Sequence, residues 1–242
     1  MISRAPAFGE CVHGFTDRIG GVSEGRYTTL NLGRRWGDDP ASVEENYRRV
    51  AAAAGFDVED LRQVRQVHGK TMLRARDVTA GSEADALWVH RDDGPLIAGV
   101  LTADCVPILL RDRAGTVAAA VHSGWKGTVA DIAGETVRVL AEHVPAANLL
   151  AAIGPCIEVD AFEVGEEVAV QFPAEFVRRE GTRRPHVDLV AMVRAQLIAA
   201  GLPAGAISRV GGCTFSDPAR YFSYRRDGAG IGQMLAFIGL AT

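Results

Sequence analysis

Residues 96–128 read LIAGVLTADCVPILLRDRAGTVAAAVHSGWKGT. Three apolar runs are broken by Asp-Arg-Ala-Gly and by two polar knots. The runs are short and rich in Val, Ile and Leu, so they read as buried strands rather than helices. The knots are Thr102-Ala103-Asp104-Cys105 and His122-Ser123-Gly124-Trp125-Lys126-Gly127. Both fall where a strand ends or pauses, which puts a Cys and a His at the mouth of a buried sheet.

Before this stretch, His13 to Thr16 closes a short strand, and a Gly-rich loop runs from Asp17 to Gly25 with Arg18 in it. Asp39-Pro40 is a helix start, with Asp as N-cap and Pro at the first position. Val43, Tyr47, Val50 and Ala54 give that helix its apolar stripe, and Gly55 stops it. Strands are expected over Thr71 to Arg74 and Asp85 to Val89. After the central stretch, Val129, Ile132, Ala133, Thr136, Val137 and Leu140 keep the spacing of one helix starting at Gly127-Thr128. Leu149 to Ile153 is a strand, Val164 to Phe172 a short helix, and Asp188 caps a helix that Gly201 ends. Strands follow at Ile207 to Val210 and Met234 to Leu240. No repeat, low-complexity tract or long linker divides the chain. Consecutive strands with interspersed helices fit a single α/β domain, residues 1–242, with a mixed sheet.

The 242 residues are 48% hydrophobic, enough for a sizeable core. The net charge of −4 argues against a nucleic-acid binder driven by a basic face. No apolar run reaches the length of a membrane span, and the N-terminus lacks a signal-peptide core. The expectation is a cytoplasmic protein with no membrane and no nucleic-acid partner. Cys11, Cys105, Cys156 and Cys213 show no CxxC spacing, as expected of thiols in a reducing compartment.

Chemistry concentrates on Cys105, His122 and His68. Two imidazoles and a thiolate are good zinc ligands and leave a fourth position open. Composition alone favours a buried Cys and two surface His, but all three sit in polar knots beside Gly or Asp. The same atoms also read as a Cys105 nucleophile activated by His122, and spacing does not separate the two. Asp104 is a candidate acid. Arg18, Lys126 and Arg225 are candidate anion holders, although each is more often a solvated cation. Tyr221-Phe222-Ser223-Tyr224 before Arg225-Arg226 suits a planar ring with a charged tail. His13, His90 and His186 read as structural or surface residues.

A set of motifs then becomes specific: FTDRIGGVSEGRY, TLNLG, GDDP, QVHG, ADAL, LTADCVPILL, AAVHSGWKGT, AAIGPCI, FEVGEEV, CTF and YFSYRRDG, in this order from Phe15 to Gly228. The chain resembles the YfiH/laccase-domain family. The resemblance implies one α/β domain with mixed β-sheet layers flanked by helices, and a fold likened to Cys–His deamidating toxins. It implies zinc on His68 of QVHG, Cys105 of TADC and His122 of HSGW. It also implies phosphorolysis of adenosine, inosine, guanosine and methylthioadenosine, with adenosine deamination as a companion. The partners are then purine nucleosides and phosphate. The older polyphenol oxidase label implies Cu2+ instead of Zn2+. One departure is Lys126, where the family usually has Arg; Lys lacks the forked donor that grips phosphate.

Overall fold

The apolar runs of the central stretch are three strands: the first polar knot separates the first two, the Asp-Arg-Ala-Gly turn the last two, and the second knot ends the third. A computed structural model describes residues 1–181 and 183–240. The strands ahead of the central stretch are β1 (Ile2–Ser3), β2 (His13–Thr16), β3 (Leu61–Arg62), β4 (Met72–Arg74) and β5 (Ala86–His90). The central runs are β6 (Ile97–Thr102), β7 (Val106–Asp112) and β8 (Val117–Ser123). Next come β9 (Leu149–Ile153), β10 (Val177–Arg178), β11 (His186–Val187), β12 (Ile207–Arg209) and β13 (Met234–Gly239). The helices are α1 (Pro40–Ala54), α2 (Trp125–Val129), α3 (Ile132–Ala141), α4 (Glu166–Ala169), α5 (Leu189–Ala199) and α6 (Tyr224–Asp227).

Two mixed sheets form the expected β-sheet layers, where the strand pattern alone suggested one sheet. A five-stranded sheet runs β1-β2-β13-β6-β3, and a six-stranded sheet runs β12-β9-β7-β8-β5-β4. Strands β3 and β6 pair parallel, as do β4 with β5 and β9 with β12; the other pairs in these two sheets are antiparallel. The reason lies in the pleat. Side chains alternate across a strand, and β7 is apolar on both faces. Leu109 points with Leu87, Ala118 and Ala120 toward Ala98, Val100 and Ala236 of the other sheet. Ile108 and Leu110 point the opposite way, onto Ile132, Val137 and Leu140 of α3 and Val193 and Leu197 of α5. Helix α1 covers the far face of the five-stranded sheet through Val43, Tyr47 and Val50 against Ile97 and Phe237. The layers are therefore helix, sheet, sheet, helix. The alanines on the facing sheet surfaces keep those surfaces flat enough to pack closely.

The helix expected from Gly127 onward is broken in two. Asp131 takes a left-handed φ of 62°, and its carboxylate caps α3 by accepting from the Gly134 N–H at 3.2 Å. Asp39 caps α1 as the sequence predicts, accepting from Ala41 and Ser42, and Gly55 ends it at φ 81°.

Asn46 on α1 ties the Gly-rich loop and the 29–31 segment to the fold. It is fully buried, donates to Ser23 Oγ (2.9 Å) and Asn31 O (2.8 Å), and accepts from the Val22 N–H (2.9 Å). Asn46→Ala leaves the Val22 N–H and the Asn31 carbonyl without these partners, and is expected to cost roughly 1–3 kcal/mol. Urea unfolding with an unchanged m-value measures this. A loss under about 0.5 kcal/mol, the level of an ordinary surface change, contradicts the role.

Candidate functional site

The first polar knot lies where the chain crosses from one sheet to the other, and the second where β8 runs into α2. Thr102 ends β6 in the first sheet and Val106 begins β7 in the second, so Cys105 sits in the crossing. His68 lies in an earlier crossing, between β3 and β4. His122 is near the end of β8, facing Pro107 of β7 in register. The side-chain donor atoms of His68, Cys105 and His122 all lie within 4.8 Å of one another. The two imidazoles meet edge to face, with ring centroids 4.8 Å apart at 83°.

Gly124 makes room for this group. Its φ of −71° suits any residue, but a Cβ there would stand 2.9 Å from His68 Cδ2 and 3.1 Å from Cys105 Sγ. Gly124→Ala is therefore expected to fold and to spread the three donors. Metal affinity should fall by about 10–100-fold, the scale of losing a group that orients a ligand. Competition against a chromophoric chelator reads the change; unaltered affinity contradicts it.

Asp85 organises the group and is absent from the residues the sequence singles out. Its Oδ1 lies 2.8 Å from His122 Nδ1 and accepts from the His68 N–H at 2.9 Å. Its Oδ2 accepts from Gly69 N–H at 2.7 Å and Val67 N–H at 3.3 Å. The Asp85 carbonyl also accepts from the His122 N–H at 2.7 Å. One fully buried carboxylate thus shapes the His68 turn and fixes the His122 ring. With Nδ1–H donated to Asp85, the Nε2 lone pair of a neutral His122 is left for a ligand. The ADAL motif carried this signal: an Asp directly before a buried strand. His68 (φ 60°) and Asp104 (φ 97°) hold left-handed backbone, strain of the kind concentrated at functional sites.

The charges are coupled. Burial alone raises the Cys105 thiol, but the His122 charge and hydrogen bonds from His122 and His68 bring it well below the usual thiol range. Burial alone lowers His122, but Cys105 and Asp85 raise it above the ordinary imidazole value. Burial likewise raises Asp85, and the hydrogen bonds from His122, Gly69 and His68 outweigh it and lower its carboxyl. A lowered thiol is ionised at lower pH. Alkylation of metal-free protein by iodoacetamide is therefore expected to persist below the free-thiol midpoint of about 8.5. A Cys105 midpoint at or above that value contradicts the pairing.

The group lines a cleft of about 930 Å³ whose walls include Leu101, Trp125, Ile157, Phe162, Tyr224 and Ile231. Among the expected residues, Asp104 and Arg225 line it and Arg18 and Lys126 do not. Arg18 is spent elsewhere: it donates to Thr28 O (2.8 Å) and Pro218 O (3.0 Å) and stacks over Phe222. Lys126 is exposed on α2, its Nζ 5.5 Å from the Trp125 ring centroid. Asp104, expected as an acid, is engaged on both oxygens. Oδ1 accepts from Thr214 Oγ1 (2.5 Å) and Oδ2 from the Arg225 N–H (2.6 Å). It fastens the Cys105 turn to the Arg-rich segment. Arg225 donates to Glu163 O (2.6 Å) and lies over the Phe162 ring. Among the described residues no carboxylate pairs with it. The cleft also holds Arg34, Arg35 and Arg65, which the sequence reading missed. Among the described residues no helix is long and apolar enough to cross a membrane.

The family model described as multi-copper polyphenol oxidoreductase laccase matches residues 12–241. A purine nucleoside phosphorylase of Deinococcus radiodurans is 44% identical over 234 residues, 94% of this chain and 88% of that protein. A protein named adenosine deaminase RL5, from an unknown prokaryotic organism, is 37% identical over 93% of this chain and 92% of its own length. The crystal structure of YlmD from Geobacillus stearothermophilus superposes with a TM-score of 0.89 at 32% identity, covering 98% of this chain and 94% of that one.

Proposed function

Since this chain belongs to the YfiH/laccase-domain family, we propose that it is a zinc-dependent purine nucleoside phosphorylase that also deaminates adenosine. The observation that carries this reading is the convergence of His68, Cys105 and His122 at one aromatic-walled cleft.

The donor set fits a metal. A thiolate and two imidazoles suit zinc, and Asp85 behind His122 is the supporting carboxylate such sites use. A multi-copper centre needs further donors. Among the described residues this is the one group of three or more His, Cys, Asp or Glu with donor atoms this close. Bound there, zinc supplies a Lewis acid at the reacting end of the substrate, for phosphorolysis and deamination alike.

In phosphorolysis a phosphate oxygen bonds to the sugar C1′, the bond from C1′ to the purine nitrogen breaks, and the base leaves with a proton. The aromatic walls of the cleft stack the flat purine. Arg225, with which no carboxylate pairs among the described residues, holds negative charge near the bond that changes. Asp104 acts as a positioning residue, since its grip on the Arg225 N–H fixes where that charge stands. Arg18 and Lys126 are not assigned to phosphate, because they lie outside the lining.

The test is adenosine incubated with and without phosphate, with the products separated. Adenine is expected only with phosphate, and inosine with or without it. A copper-dependent oxidation of phenols with neither purine product establishes the oxidase alternative. Turnover of an amide with no purine product establishes a Cys105–His122 hydrolase.

A further inference from the structure

Besides Arg225, the cleft has a second set of cations that shares no hydrogen-bond partner with it. Arg34 and Arg35 reach the cleft from the turn before α1, and Gln63 and Arg65 from the segment after β3. Arg34 is held rigidly: Nε and Nη2 donate to Glu44 Oε1 at 3.0 and 2.8 Å, Nη1 to Gln63 Oε1 at 3.1 Å, and it stacks over Tyr47. Arg65 pairs with Glu83. Arg35 has neither a carboxylate nor a hydrogen-bond acceptor among the described residues. Gln63 lines the same cleft; its Nε2 is buried without a partner, while its Oε1 is taken by Arg34 and lies 2.9 Å from Tyr47 Oη.

A buried amide donor without an acceptor costs free energy unless a ligand supplies one. An unpaired guanidinium in the same cleft supplies the matching charge. Both groups only donate, so the ligand must accept; the chemistry is that of an oxyanion, which a guanidinium fork grips through two oxygens. The cleft of about 930 Å³ lies near the top of the usual range of small-molecule sites, roughly 300–1,000 Å³, which leaves room for such a group beside a nucleoside.

We propose that Arg35, with Arg34 fixed in the same cleft and the free Nε2–H of Gln63, forms an oxyanion subsite that holds a phosphate group. That the oxyanion is phosphate rests on the phosphorolysis reading. The phosphate is either the inorganic co-substrate or an ester carried by the nucleoside.

Calorimetric titration of the purified protein with inorganic phosphate, adenosine and adenosine 5′-monophosphate tests this. Arg35→Ala is expected to weaken binding of the phosphate species by about ten-fold, the low end for a charge-assisted hydrogen bond, and to leave adenosine unchanged. Arg35→Lys is expected to recover part of the loss. Arg48→Ala makes the same charge change on α1, where Arg48 pairs with Glu45, and is expected to change nothing. Loss for inorganic phosphate identifies the free ion as occupant; loss confined to the nucleotide identifies the ester. Unchanged affinities in Arg35→Ala, an equal loss in Arg48→Ala, or no binding of either phosphate species by the wild type overturns the subsite. Binding is read without turnover, so the two readings fail separately. Arg35-dependent phosphate binding with no adenine formed leaves the subsite and removes phosphorolysis. Adenine formation with phosphate binding indifferent to Arg35 does the reverse.

Discussion

Cys105→Ser is expected to empty the proposed zinc site while leaving the fold intact. The expected content falls from about one equivalent per chain to under about a tenth, since losing even an outer partner of a ligand typically costs 10–100-fold in affinity. Ser is close to Cys in size, and the site is a sheet crossing rather than the packed core, so little packing is lost. The donor changes fundamentally. The Cys105 thiol is held well below the usual thiol range by His122 and His68, and a thiolate is the ligand form. A serine hydroxyl stays protonated at neutral pH and offers a hard, neutral oxygen. Elemental analysis beside a circular dichroism spectrum distinguishes metal loss from unfolding. Undiminished metal in Cys105→Ser removes the thiolate from the site.

Asp85→Ala is expected to have the largest effect on stability, about 3–5 kcal/mol, the scale of breaking a buried charged pair from one side. The Val67, His68 and Gly69 N–H groups and His122 Nδ1 all lose their acceptor together. Asp85→Asn separates orientation from folding, because its amide keeps one acceptor oxygen. It should retain more stability than Ala yet lose about 10–100-fold in metal affinity, since His122 is no longer oriented by a carboxylate. The sign of the pH effect follows from the lowered carboxyl of Asp85. Its contribution is present above the unfolded carboxylate value of about 3.9 and is lost as pH falls through the lower folded value. The gap in unfolding free energy between wild type and Asp85→Asn should therefore be widest near neutrality and shrink in acid. A gap that grows in acid contradicts the assignment.

The strands were legible because apolar runs bounded by Gly, Asp and polar knots have few other solutions. Val106–Asp112 is apolar on both faces, which reads as burial from both sides but does not say that one cover is a second sheet. That second cover depends on the small alanines of β6, β8 and β13, whose sequence signal is weak. The helix break at Asp131 was hidden because apolar spacing continues across it. Within the site, His68, Cys105 and His122 stood out through their polar surroundings and the family motifs; spacing alone does not join residues from two crossings. Asp85 and Gly124 were harder to read, for different reasons. One is a single acid before a strand, and the other has an ordinary backbone and matters only for the space it leaves. Arg18 and Lys126 stood near glycines as Arg225 does, but tertiary partners decide such cases. Thr28 and Pro218 carbonyls hold Arg18, and solvent surrounds Lys126, while Arg34 and Arg35 reach the cleft unannounced.

The most direct measurement is a zinc titration of metal-stripped protein, following adenine release from adenosine and phosphate at each addition. Activity is expected to be absent without metal, to rise linearly, and to level off at one zinc per chain, with Cys105→Ser silent throughout. Full adenine release from stripped protein, or a plateau that requires copper or several equivalents of metal, contradicts a single zinc held by His68, Cys105 and His122.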